Sequence, residues 1–118
     1  MWKSFYYAFA GLGFLFRTQR NARIELAIGI IACGIARWLR ITRAEWGVLV
    51  LTIACVLILE GLNTAIEAVV DMVSPEYHVL AGRAKDLGAG AVLCAAITAV
   101  VIAGLVFGPH VIALFRGA

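Results

Sequence analysis

Apolar residues in this chain gather into long runs separated by short polar breaks, a pattern of helices rather than strands. The clearest run, Leu87 to Phe107, is uncharged throughout. At 1.5 Å per residue, about 20 residues match a hydrocarbon layer about 30 Å thick. A second run starts at Trp46 and continues to Val73, becoming polar on one face in its second half. A third, Leu26 to Ile41, is interrupted only by Arg37 and Arg40 near one end, where long basic side chains can snorkel to the interface. Ahead of these, Trp2, Phe5, Phe9, Leu12 and Phe16 recur at helical spacing until Arg17, Arg20 and Arg23 break the run. That segment suits the headgroup region better than a crossing. The pattern predicts an all-α membrane protein, a single domain over residues 1–118. An interfacial helix and polar lead-in occupy 1–23, and membrane helices occupy 24–41, 46–73 and 86–107.

The breaks carry their own signals. In Ile41–Trp46, Thr42 suits a helix N-cap, Glu45 the first turn and Trp46 an interface anchor. In Ser74–Pro75–Glu76, the expectation is Ser74 as N-cap, Pro75 at the first helical position and Glu76 at the positive end of the dipole. Tyr77 and His78 then fall in a loop, where a lone histidine is ordinarily just solvated. Leu87–Gly–Ala–Gly–Ala–Val92 offers small residues over which helix backbones can approach closely.

The second half of the middle run is the unusual part. Glu60, Asn63, Glu67 and Asp71 fall within a stripe roughly 80° wide on a helix advancing about 100° per residue. Leu62, Ile66, Val69 and Val73 take the opposite side. Carboxylates on an apolar helix are costly in a bilayer and usually functional. A solvated helix end accounts for Asp71, but Glu60 and Glu67 have no basic residue one turn away on this helix. With Trp46 at the outer interface, Glu60 lies about 21 Å along the helix and Glu67 about 32 Å. One face thus links a lipid-accessible depth to a water-accessible one.

Composition agrees: 64% of the 118 residues are hydrophobic and the mean hydropathy is +0.99, outside the range of an ordinary soluble domain. No cleavable signal peptide is expected, since the N-terminus lacks an apolar core followed by a small-residue site. Lys3, Arg17, Arg20, Arg23, Arg83 and Lys85 favour a cytoplasmic N-terminus and second loop; Arg37, Arg40 and Arg43 lie opposite. The net charge of +3 carries no nucleic-acid signature. Cys33, Cys55 and Cys94 fall one per apolar segment, which excludes a CxxC motif and suggests packed, inert thiols.

The segments Glu60-x-x-Asn63-Thr-Ala-Ile-Glu67-Ala-Val-Val-Asp71, Ser-Pro-Glu-Tyr-His78 and Arg-Ala-Lys85-Asp86 with Ala-Gly-Ala-Val-Leu93 closely resemble the small bacterial integral-membrane lipid kinases. These comprise the prokaryotic diacylglycerol kinases and the undecaprenol kinases, and the resemblance covers nearly the whole chain. It implies a homotrimer of three-span subunits in the bacterial inner membrane, with its active site cytoplasmic and shared between neighbours. The implied reaction moves the γ-phosphoryl group of ATP to a lipid alcohol. By the same resemblance Glu60 is the general base, Glu67 binds magnesium with Asn63 nearby, and Tyr7, Glu76, Tyr77, His78, Lys85 and Asp86 join the nucleotide site.

The residues themselves suit that chemistry. Phosphoryl transfer needs positioning, charge neutralisation and a group to take the hydroxyl proton. Glu60 supplies a base, Glu67 hard oxygen for Mg²⁺, and Lys85 a positive charge that Asp86 could orient. One position departs: where many relatives have an acidic magnesium ligand before the first span, this chain has Gln19, whose amide can ligate without charge. Glu25 lies two turns on as a possible compensation or a local partner of the nearby arginines. Segments Arg20–Ile24, Asn63–Glu67 and Val73–Glu76 resemble the undecaprenol branch; Gly82–Asp86 resembles the diacylglycerol branch. The balance leans to undecaprenol. A reading from another class is a small proton- or cation-coupled transporter built on Glu60, which leaves Glu67, Asp71, Lys85 and Asp86 without a role.

Overall fold

A computed structural model describes residues 1–76 and 78–117. Among these residues the chain is entirely helical: α1 (Trp2–Thr18), α2 (Arg20–Leu39), α3 (Arg43–Val73) and α4 (Val79–Arg116). Helices α3 and α4 are long and apolar enough to cross a membrane. Only 17% and 6% of their most apolar windows is buried within the chain, so those side chains need lipid or another chain around them. Helix α2 reaches the length but not the apolar composition of a span, because Arg20, Arg23 and Glu25 lie at one end and Arg37 at the other.

Each joint has an identifiable cause. Between α1 and α2 only Gln19 leaves the helical region, and Arg23 Nη1 donates to the carbonyls of Phe16 and Arg17 at 2.9 and 2.8 Å. One guanidinium thus satisfies carbonyls that the end of α1 would leave unpaired. Helix α2 stops at Arg40, which takes the left-handed conformation at φ 56°, while Ile41 N–H returns to the Ala36 carbonyl at 3.3 Å. That six-residue return with an apolar residue following is a Schellman stop; the buried Ile41 supplies its hydrophobic contact.

Helix α3 starts as expected. Glu45 N–H donates to Thr42 Oγ1 at 3.1 Å, and Thr42 N–H donates back to Glu45 Oε1 at 2.9 Å. This reciprocal box satisfies two donors at once. Thr42→Ala is therefore expected to lower stability by about 1 kcal/mol, read as a shifted denaturant midpoint in detergent micelles with unchanged transition steepness.

The α3–α4 joint corrects the expectation. Ser74 closes α3 rather than opening α4: its N–H returns to the Val70 carbonyl at 2.8 Å, and its hydroxyl donates to the Glu76 carbonyl at 3.0 Å. Helix α4 opens three residues after Pro75, on His78, whose Nδ1 accepts the Leu80 N–H at 3.1 Å. The histidine assigned to a solvated loop is a helix cap.

At the far end Ala36, Ile41, Leu49 and Val106 form a small core with Trp46, Ile53 and Phe107 around it. Beside it His110 Nε2 meets Glu45 Oε1 and Oε2 at 3.0 and 3.3 Å, tying the end of α4 to the start of α3. Close approach of α2 to α3 one turn further along depends on Gly29: a Cβ there would come within 2.9 Å of Ile53 Cγ2. The cysteines are free; Cys33 is partly packed, but Cys55 and Cys94 face outward rather than into a core.

Candidate active site

Helix α3 presents the polar stripe as one continuous face. Its upper member, Glu60, is the only buried charged residue among those described, 3% exposed in the middle of an apolar helix. It is covered from two directions. Leu15 of α1 is buried against the same turn, with its Cδ2 lying opposite Gly61. From α2 comes Glu25, whose carboxyl meets that of Glu60. Two carboxyl groups in contact can share a proton, so the pair can pass one from oxygen to oxygen. Glu60 Oε2 and Glu25 Oε2 are buried without a hydrogen-bond partner. Sequence reasoning left Glu25 open between a local arginine partner and a site residue; Arg23 turns away to cap α1, and Glu25 joins Glu60.

Asn63, one turn on, is half-buried, and its Oδ1 is enclosed and unpaired. Glu67 follows at a half-buried level and Asp71 in the open. At that end α4 contributes Lys85, whose ammonium contacts Asp71 Oδ1 at 2.6 Å. Lys85 lies before the apolar stretch of α4, and hydrogen bonding to Asp71 holds its ammonium above the ordinary lysine range. The Glu67 carboxylate acts on the same ammonium from further away. The orienting partner of Lys85 is therefore Asp71, not Asp86. Adjacent residues on a helix point about 100° apart, so Asp86 cannot face the same way as Lys85. Asp86 is exposed and makes no ion pair among the described residues.

Other expected site residues lie around this axis. Tyr7 is exposed on α1, edge-on to Tyr6 with ring centroids 5.6 Å apart. Glu76 and His78 are exposed in the α3–α4 joint. Because His78 Nδ1 accepts a backbone N–H, its proton in the neutral ring is on Nε2, leaving an outward donor. Tyr77 lies outside the described residues. Gln19, at the α1–α2 joint, uses its backbone as a cap, and its side chain makes no capping bond.

An apolar groove of about 240 Å³ runs from Glu25 past Ile28, Gly29, Ile53 and Val56 to Ala99. One end thus carries the Glu25 carboxyl, and nearly all the rest is hydrocarbon-like.

No group of three or more acidic, histidine or cysteine side chains stands ready as a metal cage among the described residues. Mg²⁺ does not need one, since it ordinarily takes one or two carboxylates and completes its shell with water and phosphate oxygens. Glu67, with oxygen as its only donor atom and a cation already drawn to its end of the stripe, fits an ion carried in by a nucleotide.

Two helices long and apolar enough to cross a membrane, one of them carrying an acidic stripe, are the features of a membrane protein. The family model described as prokaryotic diacylglycerol kinase matches residues 6–107, and the chain belongs to that family. It is similar to a diacylglycerol kinase of Synechocystis, 47% identical over 94% of this chain; the chain spans 64% of that relative's length. The diacylglycerol kinase of Escherichia coli K12 is 42% identical, covering 80% of this chain and 78% of its own length. The undecaprenol kinase of Bacillus subtilis is 39% identical over 91% of this chain and 87% of its own. Membership of a bacterial lipid-kinase family sets aside the transporter reading.

Proposed function

We propose that the chain is an ATP-dependent kinase of a membrane lipid alcohol, acting as a homotrimer of three-span subunits with α1 on the cytoplasmic face. The observation that carries the reading is Glu60: a buried carboxyl with an unpaired oxygen, on the same helix face as Glu67 and beside Glu25, which lines an apolar groove. A lipid whose tail lies in the groove brings its hydroxyl to Glu60. The Glu60 carboxylate takes the hydroxyl proton as the oxygen bonds to the γ-phosphorus and the bond from that phosphorus to the β,γ-bridging oxygen breaks, so that ADP leaves; Glu25 lies beside Glu60 and can share the proton taken up. Lys85, oriented by Asp71, binds phosphate oxygens; Asn63 fixes position between base and nucleotide. Tyr7, Glu76, Tyr77, His78 and Asp86 complete the nucleotide site. Glu67 and the Gln19 amide oxygen would hold Mg²⁺, which would supply charge neutralisation at the phosphates. Trimerisation supplies cover for the exposed apolar faces of α3 and α4, and α2 crosses the bilayer beside them.

Two acceptors compete. The Arg20–Ile24, Asn63–Glu67 and Val73–Glu76 segments favour undecaprenol, while the names of the more identical relatives favour diacylglycerol. Purified protein in vesicles is expected to transfer labelled phosphate from MgATP to at least one of the two. Nucleotide turnover without a phosphorylated lipid would overturn the proposal.

Gln19 gives a separate test. Gln19→Glu adds a charged ligand and is expected to lower the magnesium concentration giving half-maximal rate. An unchanged or raised requirement places Gln19 outside the metal shell.

A further inference from the structure

We propose that Gly88 is a positioning residue for the reaction, holding the Asn63 amide in place on the α3 stripe; this rests on the assignment of Asn63 to the site. Gly88 is one of only two buried residues on α4 among those described. A Cβ built there would clash with Asn63 Oδ1, stand 3.3 Å from Asn63 Cγ, and touch Ile66 Cδ1 at 3.7 Å. Gly90, two residues on, has nothing within 4 Å, so the need for glycine is local to Asn63 rather than general to a small-residue face.

The identity of the obstructing atoms decides what a methyl group would do. They belong to the tip of a side chain, not to the α3 backbone, so the tip can rotate away while the two helices keep their spacing. Alanine also favours the helix over glycine. The fold therefore has an inexpensive way to accept Gly88→Ala, but only by moving the amide.

No hydrogen bond holds that amide: its Oδ1 is enclosed without a partner and occupies the space that a Cβ at residue 88 would fill, so the missing side chain is what leaves room for the oxygen. Between Glu60 and Glu67 on one face, a displaced amide would intrude on the path between the proton acceptor and the nucleotide. The missing side chain at Gly88 is in this sense part of the site, although Gly88 touches neither reactant.

The experiment compares five proteins in lipid vesicles with MgATP: the natural chain, Gly88→Ala, Asn63→Ala, the two combined, and Gly88→Ala combined with Asn63→Ser. Turnover and unfolding temperature are measured on the same preparations. Gly88→Ala is expected to unfold at the natural temperature and to lose on the order of 10–100-fold in kcat, the scale of an ångström-level misplacement. In the Asn63→Ala background the same substitution is expected to change kcat by less than about twofold, because no amide is left to displace. Gly88→Ala combined with Asn63→Ser, which shortens the obstructing side chain but keeps an oxygen, is expected to recover part of the loss. Independent, multiplying losses in the Asn63→Ala background, or a Gly88→Ala protein that fails to fold, would show Gly88 to be a packing residue and overturn the proposal. Natural turnover in Gly88→Ala with Asn63→Ala impaired overturns it alone. Natural turnover in Asn63→Ala instead removes Asn63 from the site, and the proposal with it.

Discussion

Glu60→Gln is expected to keep the fold and nucleotide binding while losing about 10²–10⁴-fold in turnover, the usual cost of removing a general base. The substitution preserves size and leaves an amide oxygen, so the packing around Leu15, Gly61 and Val56 has no reason to change. What disappears is the ability to accept a proton. Depth explains why nucleotide binding should survive. Glu60 and Glu67 are about 10.5 Å apart along the helix, which on the proposed reading puts the base at the lipid end of the stripe and the nucleotide at the other. The informative comparison is phosphoryl transfer against nucleotide affinity in one preparation. Near-natural turnover would remove Glu60 from the mechanism, whereas lost nucleotide binding would reassign it as a ligand. Glu25→Gln adds a control: its carboxyl touches that of Glu60, so it should weaken turnover without matching the loss at Glu60 itself.

Much of this site could be read from the chain because it lies on one helix. Glu60, Asn63, Glu67 and Asp71 share a face by arithmetic alone, and Thr42 and Glu45 form their box within four residues. What could not be read are relations between helices. Nothing in the spacing brings Glu25 to Glu60 or gives Lys85 to Asp71 rather than to its neighbour Asp86. The far-end contact of His110 with Glu45 crosses 65 positions and had no local signal. The misread joint at Ser74 has a different origin. Ser-Pro-Glu is a sound helix opening by local rules, but Ser74 is taken up in ending α3, its N–H returning to the Val70 carbonyl, and His78 offers the ring nitrogen that accepts the Leu80 N–H where α4 starts. Helix α2 is a matter of degree: its flanking charges dilute a run that is apolar only in the middle.

The expected result at the other end of the stripe is of comparable size. Glu67→Gln should raise the MgATP requirement at least 10–100-fold, since even outer partners of metal ligands cost that much when removed. The geometry makes this a test of charge rather than shape. Glu67 is half-buried beside the Asp71–Lys85 pair, so its replacement leaves a cation still anchored by Asp71 at 2.6 Å. Phosphate recruitment by Lys85 should therefore persist while neutralisation by the metal fails. Lys85→Ala should show the reverse pattern, a weaker nucleotide affinity with an unchanged half-maximal magnesium concentration. Titrating magnesium at fixed nucleotide, and nucleotide at fixed magnesium, separates the two. If Glu67→Gln left the magnesium dependence as it was, the metal would have to be carried by other oxygens, and the stripe below Asn63 would be a surface for helix packing instead.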